Sequence, residues 1–333
     1  MESQLPLIWA GIIVFSVAMY VILDGYDLGI GILFLFGRDE AERDRMMNSI
    51  APFWDGNETW LVLGGAGLLG AFPVTYSVLL PAVYLPIIVM LMGLIFRGVA
   101  FEFRFKAKPR HRKWDLAFCA GSIVATFCQG VVLGAFIQGV EVEGRRFAGG
   151  AWDWLTPFSV LTGFALISGY ALLGATWIGL RTEGALAGRF RDLIPLALAV
   201  VLGFIGTISL WTPLQNPEIA GRWFAWPNVA YLSPVPIMTA LTAWGIVSAS
   251  RTGRPLMPFL LSIILFLLCF LGLGISLFPY APPPHVTLWE AAASSSSLEF
   301  MLFGAAILIP LILGYTALNY RVFWGKEHDG YGH

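Results

Sequence analysis

Two carboxylates stand three residues apart in Asn48-Ser49-Ile50-Ala51-Pro52-Phe53-Trp54-Asp55-Gly56-Asn57-Glu58-Thr59-Trp60, just inside an apolar run. Asp55 and Glu58 have the spacing that sets two side chains on one face of a helix. A second pair, Asp24 and Asp27, repeats that spacing in the first apolar run, and Arg97 lies inside the third. A charge at membrane depth costs roughly 2.5–3.5 kcal/mol on insertion scales, so such residues face a partner, a water-filled cavity or an ion path. Burial and a nearby guanidinium move carboxylate proton affinities in opposite directions, which is how a relay acquires a spread of them. The chemistry these groups could do is proton uptake and transfer. For one isolated pair, an ion pair fixing helix packing is the better reading, with Gly25, Gly29 and Gly31 allowing close approach. Five groups on three helices favour a polar pathway.

The elements that must hold them are membrane helices. Of 333 residues, 57% are hydrophobic and 12% charged, against roughly half and a quarter in soluble domains. The composition is that of a polytopic, all-α membrane protein. A formal net charge of −1 carries no basic excess for nucleic acid. Met1-Glu2-Ser3-Gln4 has no basic stretch before the first apolar run, so that run reads as an uncleaved helix rather than a signal peptide.

A crossing takes about 20 apolar residues, and nine runs meet that measure: 5–36, 49–72, 77–103, 115–140, 157–180, 192–212, 230–250, 256–279 and 297–321. We expect nine transmembrane helices in a single membrane domain. A first four-helix unit (1–140) carries the ionisable cluster, a second spans 157–279, and a ninth helix (297–321) precedes a tail at 322–333. The first run is longer than a crossing requires, and its inner end after Gly25 is a place to tilt or bend. A faint repeat, Gly25-Tyr26 in run one and Gly169-Tyr170 in run five, fits two such units; only the first copy has carboxylates beside it.

Cytoplasmic connections collect Lys and Arg. Sixteen of the twenty basic residues, from Arg38 to Lys326, fall in the odd-numbered connections and the tail, which predicts the N-terminus outside and the C-terminus in the cytoplasm. Counting inward from the cytoplasmic ends, Asp55 and Arg97 lie roughly 10 Å deep, Glu58 and Asp27 roughly 15 Å, and Asp24 roughly 20 Å. Three successive helices thus bring ionisable groups to one level. Trp54 reads as an aromatic packed at a helix interface, and Glu102 and Arg104 as interfacial anchors.

The remaining features read as structure. Trp152, Trp154, Trp211, Trp223, Trp226 and Trp289 fit an interfacial aromatic belt. Ser294 to Ser297 is a polar helix start, and Pro282-Pro283-Pro284 a stiff extended connector. Cys119, Cys128 and Cys269 have no metal-ligand spacing and read as small core residues. His111, His285, His328 and His333 all lie in connections or the tail, so this chain alone cannot build a bis-histidine haem site at membrane depth.

The chain closely resembles subunit II of the cytochrome bd quinol oxidase family. The resemblance rests on Asp24-Gly25-Tyr26-Asp27-Leu28-Gly29-Ile30-Gly31, Asn48-Ser49-Ile50-Ala51-Pro52, Trp54-Asp55-Gly56-Asn57, Trp60-Leu61 and Phe96-Arg97-Gly98-Val99-Ala100-Phe101-Glu102-Phe103-Arg104; the later half agrees mainly in pattern. It implies a heterodimer in a prokaryotic cytoplasmic membrane. Subunit I carries haem b and haem d, and the pair oxidises quinol and reduces oxygen to water while drawing protons from the cytoplasm. No metal or haem ligand is implied in this chain. A bound quinone or lipid here, and a small single-helix third subunit, are further expectations. Residue by residue, Asp55 matches the family's proton-channel acid, Trp54 its neighbouring aromatic near the haem region, and Asp27 and Arg97 the polar positions of spans one and three. Asp24 and Glu58 join the proposed pathway, Glu58 on geometry alone. Phe53 stands where some relatives have a His, so no ligand or proton-carrier role transfers there. Competing classes are an ion-coupled secondary transporter and a purely scaffolding membrane subunit.

Overall fold

In a lipid interior every backbone polar group must be satisfied within its own segment, so apolar runs of this length fold as helices. The computed structural model describes residues 4–107, 111–284, 286–323 and 325; the predictions made for Met1 to Ser3, His285, His328, His333 and most of the tail lie outside them. The helices are α1 (Leu5–Leu33), α2 (Glu40–Asn48), α3 (Trp54–Ala71), α4 (Pro73–Arg104), α5 (His111–Gln138), α6 (Pro157–Arg181), α7 (Gly184–Gln215), α8 (Pro217–Phe224), α9 (Asn228–Leu232), α10 (Pro234–Arg251), α11 (Leu256–Leu277), α12 (Leu288–Ala291) and α13 (Ser295–Val322). A two-residue hairpin pairs β1 (Val142–Glu143) with β2 (Arg146–Phe147) in the connection after α5.

Among the described residues eight stretches are long and apolar enough to cross a membrane: Leu5–Phe36, Pro73–Arg104, His111–Gln138, Pro157–Arg181, Gly184–Gln215, Asn228–Arg251, Leu256–Leu277 and Ser295–Val322. They coincide with eight of the nine expected runs, and the chain is an all-α polytopic membrane protein. The run at 49–72 differs. It begins as turns and becomes helical only at Trp54, giving α3 just 18 residues, about 27 Å of rise. Its first turns hold Asp55, Asn57, Glu58 and Thr59, which lower its apolarity below that of a lipid-facing crossing.

The centre of the molecule is the contact of α1 with α6. A Cβ on Gly29 would lie 1.9 Å from the Tyr170 carbonyl oxygen, and one on Gly174 would lie 2.4 Å from the Gly29 carbonyl carbon. Only glycine admits this approach. The glycines therefore serve packing, and α1 stays helical through Gly25 to Leu33. The two copies of the Gly-Tyr pair face each other there: a Cβ on Gly25 would meet the Tyr170 ring at 2.9 Å. Tyr26 stacks on Trp177 with centroids 4.1 Å apart, and the largest hydrophobic core gathers around these rings.

Helix α4 holds Pro81 and Pro86 and leaves helical geometry at Val83 (φ −124°, ψ 21°). A proline inside a helix lacks its N–H and clashes with the preceding turn, so a break beside it is expected. The segment after the break carries Arg97. At the opposite ends, Pro282 to Pro284 form a turn rather than an extended connector. The Val286 N–H donates to the Pro282 carbonyl, the Ala281 N–H to Val286, and Tyr280 bridges Thr287; these local bonds satisfy backbone that an extended strand would leave unpaired. Cys119 and Cys128 are buried, whereas Cys269 is exposed on α11 instead of in the core.

Candidate functional site

Arg97 stands where α1, α3 and α4 meet. Its Nη1 lies 2.8 Å from Asp24 Oδ1 and 3.0 Å from Glu58 Oε1, and its Nη2 lies 4.0 Å from Asp27 Oδ2. Arg97, Asp24 and Asp27 are shut off from solvent, while the Glu58 side chain is 30% exposed. Four of the five ionisable groups expected at one level therefore form one cluster. Asp24 and Asp27 reach it from the same helix face, as their spacing requires.

Asp55 does not join them: it is exposed on α3. Asn57, Trp60 and Gly64 form the buried stripe of α3, and Asp55 stands about 160° around the helix from Asn57. The stripe turns Asp55 outward and leaves Glu58 at its edge. Sharing a helix face did not suffice to bring the two carboxylates to the same partner.

Two residue types that the reading of charges passed over complete the cluster. The Asn57 side-chain amide donates to Asp27 Oδ2 at 2.7 Å and to the Tyr26 hydroxyl at 3.2 Å. Tyr320, from the last helix, hydrogen-bonds the Tyr26 hydroxyl and donates to Asn57 Oδ1 at 3.4 Å. Asn57 and Tyr26 sit inside the very motifs that drew attention to the carboxylates, so proximity to Asp55 and Asp27 was the available signal. Nothing local marks Tyr320. On the inner side, the Gln129 amide donates to the Tyr20 hydroxyl at 2.7 Å and accepts from Tyr170 at 2.9 Å, one turn from Asp24 along α1.

Trp54 is half-buried. Its ring lies 5.0 Å from that of Phe101, and the Arg97 guanidinium carbon is 6.0 Å from its centroid, within reach of a cation–π contact. Arg104 is no interfacial anchor: it is fully buried, with Nε 2.6 Å from Asp115 Oδ1, a further ion pair to Asp44, and the rings of Phe34 and Phe105 within 5.4 Å. A guanidinium withdrawn from water needs paired carboxylates, and α2 and α5 supply one each. Glu102, two residues earlier, is exposed.

Among the described residues no three His, Cys, Asp or Glu side chains converge as a metal site. His111 opens α5 with Nε2 3.1 Å from Glu40 Oε1. The donor set of these residues does not fit a haem held between histidines at membrane depth.

Comparison with known proteins identifies the family of the chain. Residues 5–323 match the family described as cytochrome bd terminal oxidase subunit II. The chain is 30% identical to the cytochrome bd-I ubiquinol oxidase subunit 2 of Escherichia coli K12, over 92% of this chain and 91% of that one. It is 28% identical to the cytochrome bd ubiquinol oxidase subunit 2 of Bacillus subtilis 168, over 91% of each. The fold is similar to that of a chain in the bd oxidase of Geobacillus thermodenitrificans, with a TM-score of 0.77 at 18% identity, covering 97% of this chain and all of that one. With its family match spanning nearly the whole sequence, this chain belongs to the cytochrome bd terminal oxidase subunit II family and is a membrane-embedded subunit of a bd-type quinol oxidase.

Proposed function

We propose that this chain assembles with a haem-bearing subunit I and supplies part of the path by which cytoplasmic protons reach the oxygen-reducing site. The observation that carries this reading is the convergence of Asp24, Asp27 and Glu58 on one guanidinium, with Glu58 partly open to the surface of the chain. Three ionised carboxylates around one arginine would leave net negative charge in a medium that stabilises it poorly. The cluster relieves that by holding protons, which is what a relay station does. Asp27 Oδ1 and Arg97 Nε are buried without a protein hydrogen-bond partner, and ordered water at such atoms would extend the relay.

In the same reading α3 is a ninth crossing, its polar turns tolerated because they face Arg97 rather than lipid. The N-terminus is outside, and the arginine-rich helix ends mark the cytoplasmic side. Two four-helix units and α13 make up the single membrane domain. Haem b and haem d belong to subunit I, and no step in this chain runs through them. Val62 shares the Asp55 face of α3, Ile95 and Phe96 are exposed on α4, and subunit I is the cover we propose for them. Asp55 then stands at the boundary of the two subunits, as the first acid on the way to Glu58.

The test is the complex purified through a tag on this chain. Haem b and haem d bands in the reduced-minus-oxidised spectrum, with quinol-dependent oxygen uptake, are expected. Asp27→Asn should keep the bands and slow proton uptake. Wild-type proton-uptake kinetics in both Asp27→Asn and Glu58→Gln would overturn the pathway and leave a scaffolding subunit.

A further inference from the structure

Helix α13 is the least embedded of the long helices. Only Leu298 and Ala305 are buried along its 28 residues, and Phe300, Phe303, Leu311, Tyr315 and Leu318 are more than half exposed. Its last turn is nevertheless tied into the core. Asn319 Nδ2 donates to the Pro52 carbonyl at 2.7 Å, the Tyr320 ring stacks on Phe53 with centroids 4.5 Å apart, and the Tyr320 hydroxyl reaches Tyr26 and Asn57. A helix needing only an anchor would dock an apolar side chain there. Instead a half-buried phenol connects the surface to a hydroxyl that shares the Asn57 amide with Asp27.

We infer that Tyr320, contributed by the last helix, forms a second inlet to the cluster and hands protons to Asp27 through the Tyr26 hydroxyl. The inference rests on the proton-transfer reading above and adds a route that bypasses Asp55 and Glu58. A proton arriving at the Tyr320 oxygen releases that phenol's own proton to the Tyr26 oxygen, and Tyr26, which has no direct hydrogen bond to Asp27, releases its proton to the Asp27 carboxylate through a bridging water. Rotation of both hydroxyls restores the pair, so one proton enters, one is delivered, and neither ring changes oxidation state. Asn57 transfers nothing. By donating to Tyr26 and Asp27 together, its amide holds the two within reach of one bridging water.

The experiment is Tyr320→Phe in the intact oxidase. The substitution keeps the stack on Phe53 and the Asn319 tether and removes one hydroxyl. Quinol-driven oxygen uptake should fall about twofold, short of the roughly 100-fold or more of a sole acid–base group, because the parallel Glu58 route remains. The solvent deuterium isotope effect should rise, haem content should stay at the wild-type level, and Tyr320→His should restore much of the rate. If Tyr320→Phe loses haem, Tyr26→Phe, whose ring stays stacked on Trp177, interrogates the same hydroxyl pair. Wild-type rate and isotope effect in the phenylalanine variant, while Asp27→Asn is slowed, would overturn this inlet and leave the cluster's role standing. Wild-type behaviour in all of these variants would overturn both.

Discussion

Arg97 Nη1 lies 2.8 Å from Asp24 Oδ1, and both side chains are closed to solvent. Such a pair is weak evidence for stability as a unit but costly to break from one side, because the survivor remains charged and buried. Arg97→Leu should therefore destabilise the complex by about 3–5 kcal/mol. The loss is read as a lowered melting temperature and reduced haem recovery. Adding Asp24→Leu to Arg97→Leu should recover part of it, and a double-mutant cycle on melting measures the coupling.

Glu58 touches Arg97, whereas Asp55 is exposed and outside the cluster. Glu58→Gln should slow oxygen reduction about twofold, short of the roughly 100-fold of a sole acid–base group, because the Tyr320 inlet still feeds Asp27. Asp55→Asn should slow it less, with haem content near wild type. Stopped-flow proton uptake on both variants checks the order; loss of haem in Asp55→Asn would assign that residue to assembly.

The crossing of α1 and α6 has no room for a methyl group at Gly29, where a Cβ would meet the Tyr170 carbonyl at 1.9 Å. Backbone cannot retreat as a side-chain tip can. Gly29→Ala should cost at least the 1–3 kcal/mol or so typical of overpacking and reduce the yield of assembled complex. Gly206→Ala on α7, where nothing lies within 4 Å, should be neutral, so the pair separates a packing clash from a general intolerance of helical alanine.

Glu42 lies in α2, outside the membrane spans. Burial works against its ionisation, but the Arg38 backbone N–H at 2.7 Å and the Arg189 guanidinium at 2.5 Å outweigh it and hold the carboxyl below its usual 4.5. A carboxyl lowered on folding contributes stability that is fully present above its unfolded value and is lost as pH falls through the folded one. Glu42→Gln should lower the melting temperature at pH 7. The difference from wild type should shrink below about pH 4.5; a difference unchanged down to pH 3 would contradict this linkage.

The amino-acid sequence by itself determined the all-α, membrane-spanning class and the helix face that Asp24 and Asp27 share. Apolar run length sets helix length, and eight of the nine runs are long crossing-competent helices. The spacing of Asp24 and Asp27 put both on one face because a helix repeats every 3.6 residues, and that holds whatever surrounds it. Tertiary structure decided the rest. Asp55 and Glu58 obeyed the same spacing, yet the buried stripe through Asn57 and Trp60 sent one outward and kept the other at Arg97. Arg104 read as an anchor because it stands at the cytoplasmic mouth of the third run, while its partners Asp44 and Asp115 come from other helices. Tyr320 joins Asn57 across 263 positions. Local periodicity fixes which way a side chain leaves its own helix; which neighbour it then meets depends on how helices cross, and at α1 and α6 that crossing is as close as Gly29 and Gly174 allow.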